Sequence, residues 1–178
     1  MESEYKIIDN ALNTNDFDIL KDFMLGDKIS WYFEKDVVNP SWAIEPLTQD
    51  QKDWNFFWFH SIFHESMLVT SPDVWNAIQP ILSVLEPKSL IRAKANSYPK
   101  TPRIVHHQDH TDLPYEHTGA LFYLNTNDGL TILEDGTEIK SVENRILLHD
   151  ASKPHHSTTC TDAARRVNLN FNYLRLNC

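Results

Sequence analysis

The chain has 178 residues, a length that suits one domain and is sufficient to bury a core. Hydrophobic residues make up 41% and charged residues 23%, which are ordinary values for a globular domain. The net charge of −9 argues against a protein that binds the phosphate backbone of nucleic acids, so we expect no nucleic-acid partner.

The cysteines and the N-terminal residues bear on the compartment. Only two cysteines occur, Cys160 and Cys178, so a disulfide scaffold is not expected and a reducing compartment fits better. The first residues, Met-Glu-Ser-Glu-Tyr, are acidic and lack the basic and apolar regions of a signal peptide. No apolar run approaches the ~20 residues that a membrane span needs. We therefore predict a soluble cytoplasmic protein with no membrane partner.

The first 90 residues mix helical and extended patterns. The stretch Asn13-Thr14-Asn15-Asp16 offers caps for one helix, which Gly26 closes, and Ser71-Pro72-Asp73 begins another. In chain order, the patterns predict a strand at 5–8, a helix ending near Leu25, strands at 31–38 and 54–59, and a helix from Pro72 to Leu85.

After Pro87 the chain predicts short strands separated by turns such as Asn127-Asp128-Gly129 and Glu134-Asp135-Gly136. The predicted strands cover residues 91–98, 119–125, 130–133, 145–149 and 167–176. Helices followed by many short strands indicate an α+β, mostly β fold, a β-sandwich or jelly roll braced by helices. No linker or repeat divides the chain. We predict one domain over residues 1–178, with 1–90 as helical brace and outer strands and 91–178 as the core.

The last predicted strand has strict period two. From Val167 to Tyr173, apolar residues alternate with Asn168, Asn170 and Asn172. The asparagines could face solvent on an antiparallel strand, or they could face a polar cavity while the apolar row packs against helices. The periodicity is the same in both cases, so both interpretations stay open.

Two consecutive His-x-Asp motifs occur in the second half, His107-Gln108-Asp109 and His110-Thr111-Asp112. On a strand, residues i and i+2 point to one side with Cα atoms roughly 6.5–7 Å apart, so both side chains can reach one ion. Pro154-His155-His156 and Arg165-Arg166 follow. Two imidazoles and one carboxylate form a mononuclear iron site with an open face, and an arginine beyond them could hold a dicarboxylate cosubstrate.

From Ile91 onward the chain resembles the Fe(II)/2-oxoglutarate-dependent oxygenases of the prolyl 4-hydroxylase type, including small versions found in phages and marine bacteria. The matching segments stand in the family's order: Asn96-Ser97-Tyr98-Pro99, His110-Thr111-Asp112, residues 120–125, Gly129-Leu130-Thr131, Glu134-Asp135-Gly136, residues 144–148, Pro154-His155 and residues 166–173. The resemblance covers about half of the chain. It implies a double-stranded β-helix, a jelly roll of the cupin-like kind, with iron at its open end.

The resemblance also implies a ligand set. His110 and Asp112 correspond to the proximal iron ligands, in preference to His107, and His155 corresponds to the distal ligand. His156 remains an alternative distal ligand, because a shift of one residue is normal in such assignments.

The same resemblance implies a binding site for 2-oxoglutarate. Arg166 corresponds to the residue that pairs with the C5 carboxylate, because a guanidinium can bind a carboxylate through two hydrogen bonds. Arg165 is the alternative. Tyr123 and Tyr98 correspond to tyrosines that donate hydrogen bonds to the cosubstrate.

The implied activity is hydroxylation of an unactivated C–H bond by Fe(II), 2-oxoglutarate and dioxygen, with release of succinate and CO2. The expected substrate is a peptidyl or free proline, with a peptide preferred. One alternative is an oxygenase of the same class that acts on another small molecule, a nucleobase or a lipid. A second alternative is a non-enzymatic, cupin-like metal-binding protein.

Overall fold

The computed structural model describes residues 5–38 and 45–175. Cys178 and the end of the predicted strand 167–176 lie outside this part. The helices are α1 Thr14–Leu25, α2 Gln49–Trp54 and α3 Pro72–Leu85. The strands are β1 Tyr5–Ile8, β2 Tyr32–Glu34, β3 Phe57–His64, β4 Met67–Leu68, β5 Ser89–Pro99, β6 Thr118–Tyr123, β7 Leu130–Leu133, β8 Glu138–Lys140, β9 Arg145–Asp150, β10 His155–Ser157 and β11 Arg165–Leu174.

Local capping explains where the two longer helices begin and end. The Asn13 side chain accepts a 3.0 Å hydrogen bond from the Asp16 N–H at the start of α1, and the Gly26 N–H donates to the Asp22 carbonyl at its end. The Ser71 hydroxyl caps α3 in the same way, with Pro72 in the first turn. Both predicted helices are therefore confirmed. No helix within the described residues is long and apolar enough to span a membrane.

The prediction of a strand at 54–59 was partly wrong. Residues up to Trp54 form α2, and β3 begins only at Phe57. Thr48 and Gln51 form a capping box, in which each side chain bonds the other residue's backbone N–H. This local signal fixes the start of α2 and outweighs the aromatic run. The predicted strand at 31–38 is also shorter, since only Tyr32–Glu34 pairs with β3.

Two antiparallel sheets face each other in the described residues. The large sheet has the order β1-β9-β6-β11-β5-β3-β2, with β4 paired to β3, and the small sheet has the order β10-β7-β8. Leu121, Tyr123 and Leu147 of the large sheet pack against Ile139 of the small sheet. The fold is thus mostly β, a double-stranded β-helix, as predicted.

The main hydrophobic core lies on the other face of the large sheet, where α1 and α3 cover it. Phe17 of α1 packs against Phe122 of β6 with ring centroids 6.1 Å apart. The apolar residues of β11, including Leu169 and Phe171, are fully buried in the same cluster. Burial of this face stabilises the fold through the hydrophobic effect, at roughly 25 cal/mol per Å² of apolar surface.

The other face of β11 decides between the two interpretations of the asparagine row. β11 lies between β5 and β6 in the large sheet, and both of its faces are buried. Asn168, Asn170 and Asn172 therefore point into the space between the two sheets rather than into solvent. The alternation marks a strand with an apolar face towards the helices and a polar face towards an internal site.

Candidate metal and cosubstrate site

Backbone pairing brings the candidate ligands His110, Asp112 and His155 together. The loop after β5 pairs with the start of β10, where His110 and His155 exchange two backbone hydrogen bonds of 3.0 Å. The Asp112 N–H donates to the Ala151 carbonyl at 3.0 Å. Ligand atoms of all three side chains lie within 4.8 Å of one another. This arrangement could hold one metal ion.

The two imidazoles are oriented for metal binding. His110 Nδ1 lies 3.3 Å from the Gln108 carbonyl oxygen, and His155 Nδ1 lies 3.0 Å from the Lys153 carbonyl oxygen. Since a carbonyl only accepts, Nδ1 carries the proton and Nε2 keeps a lone pair for a metal. Burial, together with the neighbouring His155, lowers the pKa of His110 to about 4, so its ring is neutral near pH 7.

Asp112 is held as a carboxylate by three donors. Its Oδ1 accepts from Arg92 Nη2 at 2.8 Å, and its Oδ2 accepts from the side-chain amides of Asn170 at 3.2 Å and Asn172 at 2.8 Å. Burial acts to raise the pKa of Asp112, but the Arg92 charge and the nearby histidines outweigh it and hold that pKa well below its usual range. Two residues of the asparagine row thus orient the only carboxylate of the triad.

The alternative ligands lie elsewhere. His156 Nδ1 is 2.6 Å from Asp109 Oδ1, and its Nε2 is 3.0 Å from His106 Nδ1. The Asp109 side chain is 53% exposed. The first His-x-Asp motif therefore does not converge on one point, whereas the second does.

Arg166 is the largest fully buried side chain among the described residues. Its hydrogen bonds go to neutral oxygens there: Nε donates to Ser141 Oγ at 2.9 Å, Nη2 to Thr131 Oγ1 at 2.9 Å and Nη1 to the Thr158 carbonyl at 3.4 Å. A buried charge without a countercharge is costly, and none of the described residues supplies one, so this guanidinium is a candidate binding group for an anion.

Arg165 faces the opposite way. Its Nη2 donates to the Leu25 carbonyl at 2.7 Å, and its guanidinium lies 5.3 Å from the Trp31 ring centroid. It braces the end of α1 and does not enter the space between the sheets. The geometry therefore favours Arg166 over Arg165 as the anion-binding residue.

Two tyrosines flank Arg166. Its guanidinium carbon is 5.4 Å from the Tyr98 ring centroid and 5.8 Å from the Tyr123 ring centroid. The Tyr123 hydroxyl donates to Thr131 Oγ1 at 2.9 Å. Burial raises the pKa of both phenols against the opposing effect of the Arg166 charge, so both hydroxyls keep their protons and can donate.

The sequence analysis preferred His110 to His107 as a proximal ligand, and His107 nevertheless lies at this site. The structure buries it, with its ring centroid 5.2 Å from that of Tyr98 and its Nδ1 2.8 Å from Ser157 Oγ. Its Nε2 is buried and has no hydrogen-bond partner among the described residues. Burial and the nearby Arg166 charge lower the pKa of His107 to about 3, so the ring is neutral. An orphaned polar atom beside a buried guanidinium fits a site built for a polar ligand.

His149 lies behind the triad. Its ring packs edge-on to the His155 ring, with centroids 4.8 Å apart. Burial and the neighbouring His155 lower its pKa to about 3. Gly119 leaves room for it, since a Cβ there would lie 2.9 Å from His149 Nε2. His149 thus supports the His155 ring sterically.

Comparisons with known proteins agree with this architecture. No protein-family model matches the sequence, and no curated protein sequence matches it significantly. Solved structures do match: a 2OG-Fe(II) oxygenase family protein from Burkholderia pseudomallei aligns with a TM-score of 0.67 at 11% identity, covering 99% of this chain and 87% of that one.

Two further structures extend the comparison. A Trichoplax adhaerens prolyl hydroxylase, solved with a hypoxia inducible factor peptide fragment, aligns with a TM-score of 0.65 at 13% identity, covering 97% of this chain and 84% of the other. The 2-oxoglutarate-dependent epimerase SnoN from nogalamycin biosynthesis aligns with a TM-score of 0.61 at 11% identity, covering 96% and 77%. The chain therefore has the fold of the 2OG-Fe(II) oxygenases, with candidate ligands placed together inside it.

Proposed function

We propose that the protein is an Fe(II)- and 2-oxoglutarate-dependent oxygenase that hydroxylates an unactivated C–H bond. The observation that carries this proposal is the pairing of a 2-His-1-carboxylate cluster with a fully buried arginine whose partners, among the described residues, are neutral. Non-haem iron is the usual occupant of such a facial cluster. A dicarboxylate bound to that iron at one end supplies the missing countercharge at its other end.

His110, Asp112 and His155 would hold the metal through Nε2, a carboxylate oxygen and Nε2. Arg166 would bind the C5 carboxylate of 2-oxoglutarate, and Tyr123 would donate to the same group. Tyr98 and His107 line the same interior and would contact the cosubstrate between its two ends. Because these side chains are buried, they exclude water and keep the cosubstrate in one orientation.

Bound Fe(II) would supply the redox chemistry that activates dioxygen. In the overall reaction R–H, 2-oxoglutarate and O2 give R–OH, succinate and CO2. Two electrons come from the decarboxylated 2-oxoglutarate and two from the substrate C–H bond, and one oxygen atom enters each organic product. The protein's part is to place the substrate C–H bond close to the metal and to keep solvent away from it.

For the substrate we propose a proline, peptidyl or free. Resemblance to prolyl hydroxylases supports this, and the Trichoplax neighbour is one that was solved with a peptide. The SnoN neighbour shows that the fold also serves an epimerase, which keeps another small molecule as the alternative substrate. The buried, unpaired Arg166 argues against a non-enzymatic metal-binding protein, since a metal alone leaves its charge unmatched. We also propose that the protein is cytoplasmic.

The cosubstrate assignment can be tested with two adjacent arginines. Arg166→Met keeps an unbranched apolar side chain but removes the guanidinium and its charge, so we expect the apparent KM for 2-oxoglutarate to rise. Loss of a charged, two-point contact costs about 2–4 kcal/mol, or roughly 30- to 700-fold. Arg165→Met is the matched control and should leave this KM unchanged. Succinate release with excess Fe(II) is the measurement, and a rise only in the Arg165 variant would reassign the role.

A further inference from the structure

A cavity opens beside the cluster of His110, Asp112 and His155. Its volume is about 280 Å³, and His110 and Asp112 line part of it. Arg166 is not among its lining residues, but Phe57 is, and the Phe57 ring stacks on Tyr98 with centroids 5.6 Å apart, so the cavity adjoins the interior assigned to 2-oxoglutarate. We call it the mouth cavity. Its volume lies at the lower limit of small-molecule sites, which commonly span about 300–1,000 Å³.

The mouth cavity carries fixed charges of both signs. Arg92 and Lys94 enter it from β5, and Glu34 and Asp36 enter it from the end of β2 and the turn that follows. β3 lies between β2 and β5, so the two strands that carry the opposite charges are roughly 9–10 Å apart. Side chains of this length can therefore reach inward to the two charged groups of one small molecule.

Lys94 is the cation available to a ligand. Arg92 is already bound to Asn172 Oδ1 at 2.9 Å and to Asp112 Oδ1 at 2.8 Å. The Lys94 ammonium has no hydrogen-bond or ion-pair partner among the described residues, and it lies 5.4 Å from the Phe57 ring centroid. Burial and the Arg92 charge lower the pKa of Lys94 to about 8, against the opposing effect of the Asp112 and Glu34 charges. A cation in a partly buried cavity that has no hydrogen-bond partner among the described residues can bind an anion.

We propose that the primary substrate is a free α-amino acid, whose carboxylate binds Lys94 and whose ammonium binds Glu34 and Asp36. This inference rests on the proposed function, because it places the substrate beside the proposed iron ligands. A residue inside a peptide carries neither of these charges and would leave Lys94 unpaired. A free α-amino acid matches both signs within a cavity of this volume, so the charge pattern favours free over peptidyl proline.

Blocked substrates separate the two charge contacts. Full-length protein with Fe(II) and 2-oxoglutarate would be given L-proline and a panel of other free L-amino acids, their N-acetyl and C-amide derivatives, and proline peptides blocked at both ends. Succinate and the oxidised product would be measured by mass spectrometry. We expect turnover of a free amino acid and a KM at least about tenfold higher when either charge is blocked.

Variants then assign each charge to a residue. Lys94→Met should raise the KM for the free amino acid about tenfold but leave the KM for its C-amide unchanged, because the amide no longer uses the ammonium. Glu34→Gln should raise the KM for the free amino acid about tenfold but leave the KM for its N-acetyl form unchanged, because the acetylated nitrogen carries no charge. Lys140→Met, on the exposed surface of β8, is the charge-matched control and should change neither value.

The outcomes distinguish this inference from the proposed function. Anaerobic binding of Fe(II) and 2-oxoglutarate, followed by the visible charge-transfer band of the complex, tests the proposed function alone. If that complex forms and only doubly blocked peptides are oxidised, with Lys94→Met equal to wild type, the free amino acid inference is overturned. If the complex does not form, the proposed function itself fails.

Discussion

Two regions beside the cluster of His110, Asp112 and His155 are built differently. The inner side, lined by Arg166, Tyr123, Tyr98 and His107, lies between the two sheets, and all four side chains are buried. The mouth cavity takes its acidic groups from the short strand β2 and the turn after it. Groups on the central strands of paired sheets are held in place by their neighbours, whereas edge strands and turns tolerate change. The side proposed for the cosubstrate is thus held more firmly by its neighbours than the side proposed for the substrate.

The largest effect is expected at the cluster that both sides share. His155→Ala removes one of the three proposed ligands, so we expect loss of stoichiometric Fe(II) binding and of all succinate production. His156→Ala is the matched control, because this neighbour bonds Asp109 and His106 instead. Isothermal titration with Fe(II) under anaerobic conditions measures both. Full activity in the His155 variant and loss in the His156 variant would assign the distal ligand to His156.

A smaller effect is expected from the donors that orient Asp112. Asn172→Ala removes the 2.8 Å hydrogen bond to Asp112 Oδ2 and the acceptor of Arg92 Nε. Loss of such a supporting partner typically lowers metal affinity about 10- to 100-fold. Asn168→Ala is the control on the same face of β11, since Asn168 bonds Asn96 and not Asp112. Equal Fe(II) affinities in the two variants would show that Asn172 has no orienting role.

The rigidity of the inner side can be tested at Gly129. A Cβ there would lie 2.6 Å from Arg166 Cδ and 2.7 Å from the Thr159 carbonyl oxygen, closer than packed atoms allow. Gly129→Ala should therefore displace Arg166 and raise the KM for 2-oxoglutarate by about tenfold, with less effect on Fe(II) binding. Gly136→Asn is the control, since that turn is open to solvent and Asn tolerates its positive φ. An unchanged KM would mean that this packing does not fix Arg166.

Local signals in the sequence carried the prediction of the fold. Asn13 and Ser71 are caps with a backbone partner three residues ahead, and both helices begin where these residues stand. The capping box at Thr48 and Gln51 was a local signal as well, but the aromatic residues after it favoured a strand over α2. β10 could not be predicted in this way, because its three residues become a strand only by pairing with β7, more than twenty residues earlier.

The candidate ligands could be predicted from side-chain chemistry and from the order of the motifs along the chain. Residues that reach the site only through tertiary packing could not. His110, Asp112, His155 and Arg166 were proposed from motif order, and the fold brings the first three within reach of one ion. The role of His107 could not be read from the sequence. It is buried because its backbone N–H pairs with the Ser157 carbonyl on β10, a contact between segments far apart in the chain.

The smallest effect is expected at the half-exposed ion pair between Arg145 and Asp9, which serves as a reference for the buried pair between Arg92 and Asp112. Arg145 donates to both oxygens of Asp9, at 2.6 and 3.0 Å, at the edge formed by β1 and β9. The Asp9 side chain is 52% exposed, so solvent screens the pair and Asp9→Asn should cost less than about 1 kcal/mol.

The pH dependence of the Asp9 pair has a definite sign. The hydrogen bonds from Arg145 lower the pKa of folded Asp9 below the usual value near 3.9. The pair therefore contributes its full stabilisation above the unfolded pKa and loses it as the pH falls through the folded pKa. Thermal melts at pH 7 should differ slightly between wild type and Asp9→Asn, and the difference should vanish at low pH, while both proteins keep the same KM for 2-oxoglutarate.

Asp112→Asn leaves Arg92 without its buried countercharge, so we expect a larger loss of stability at pH 7 than in Asp9→Asn. Equal losses of stability in the two variants would show that burial does not make the Arg92–Asp112 pair more important for stability than the exposed pair.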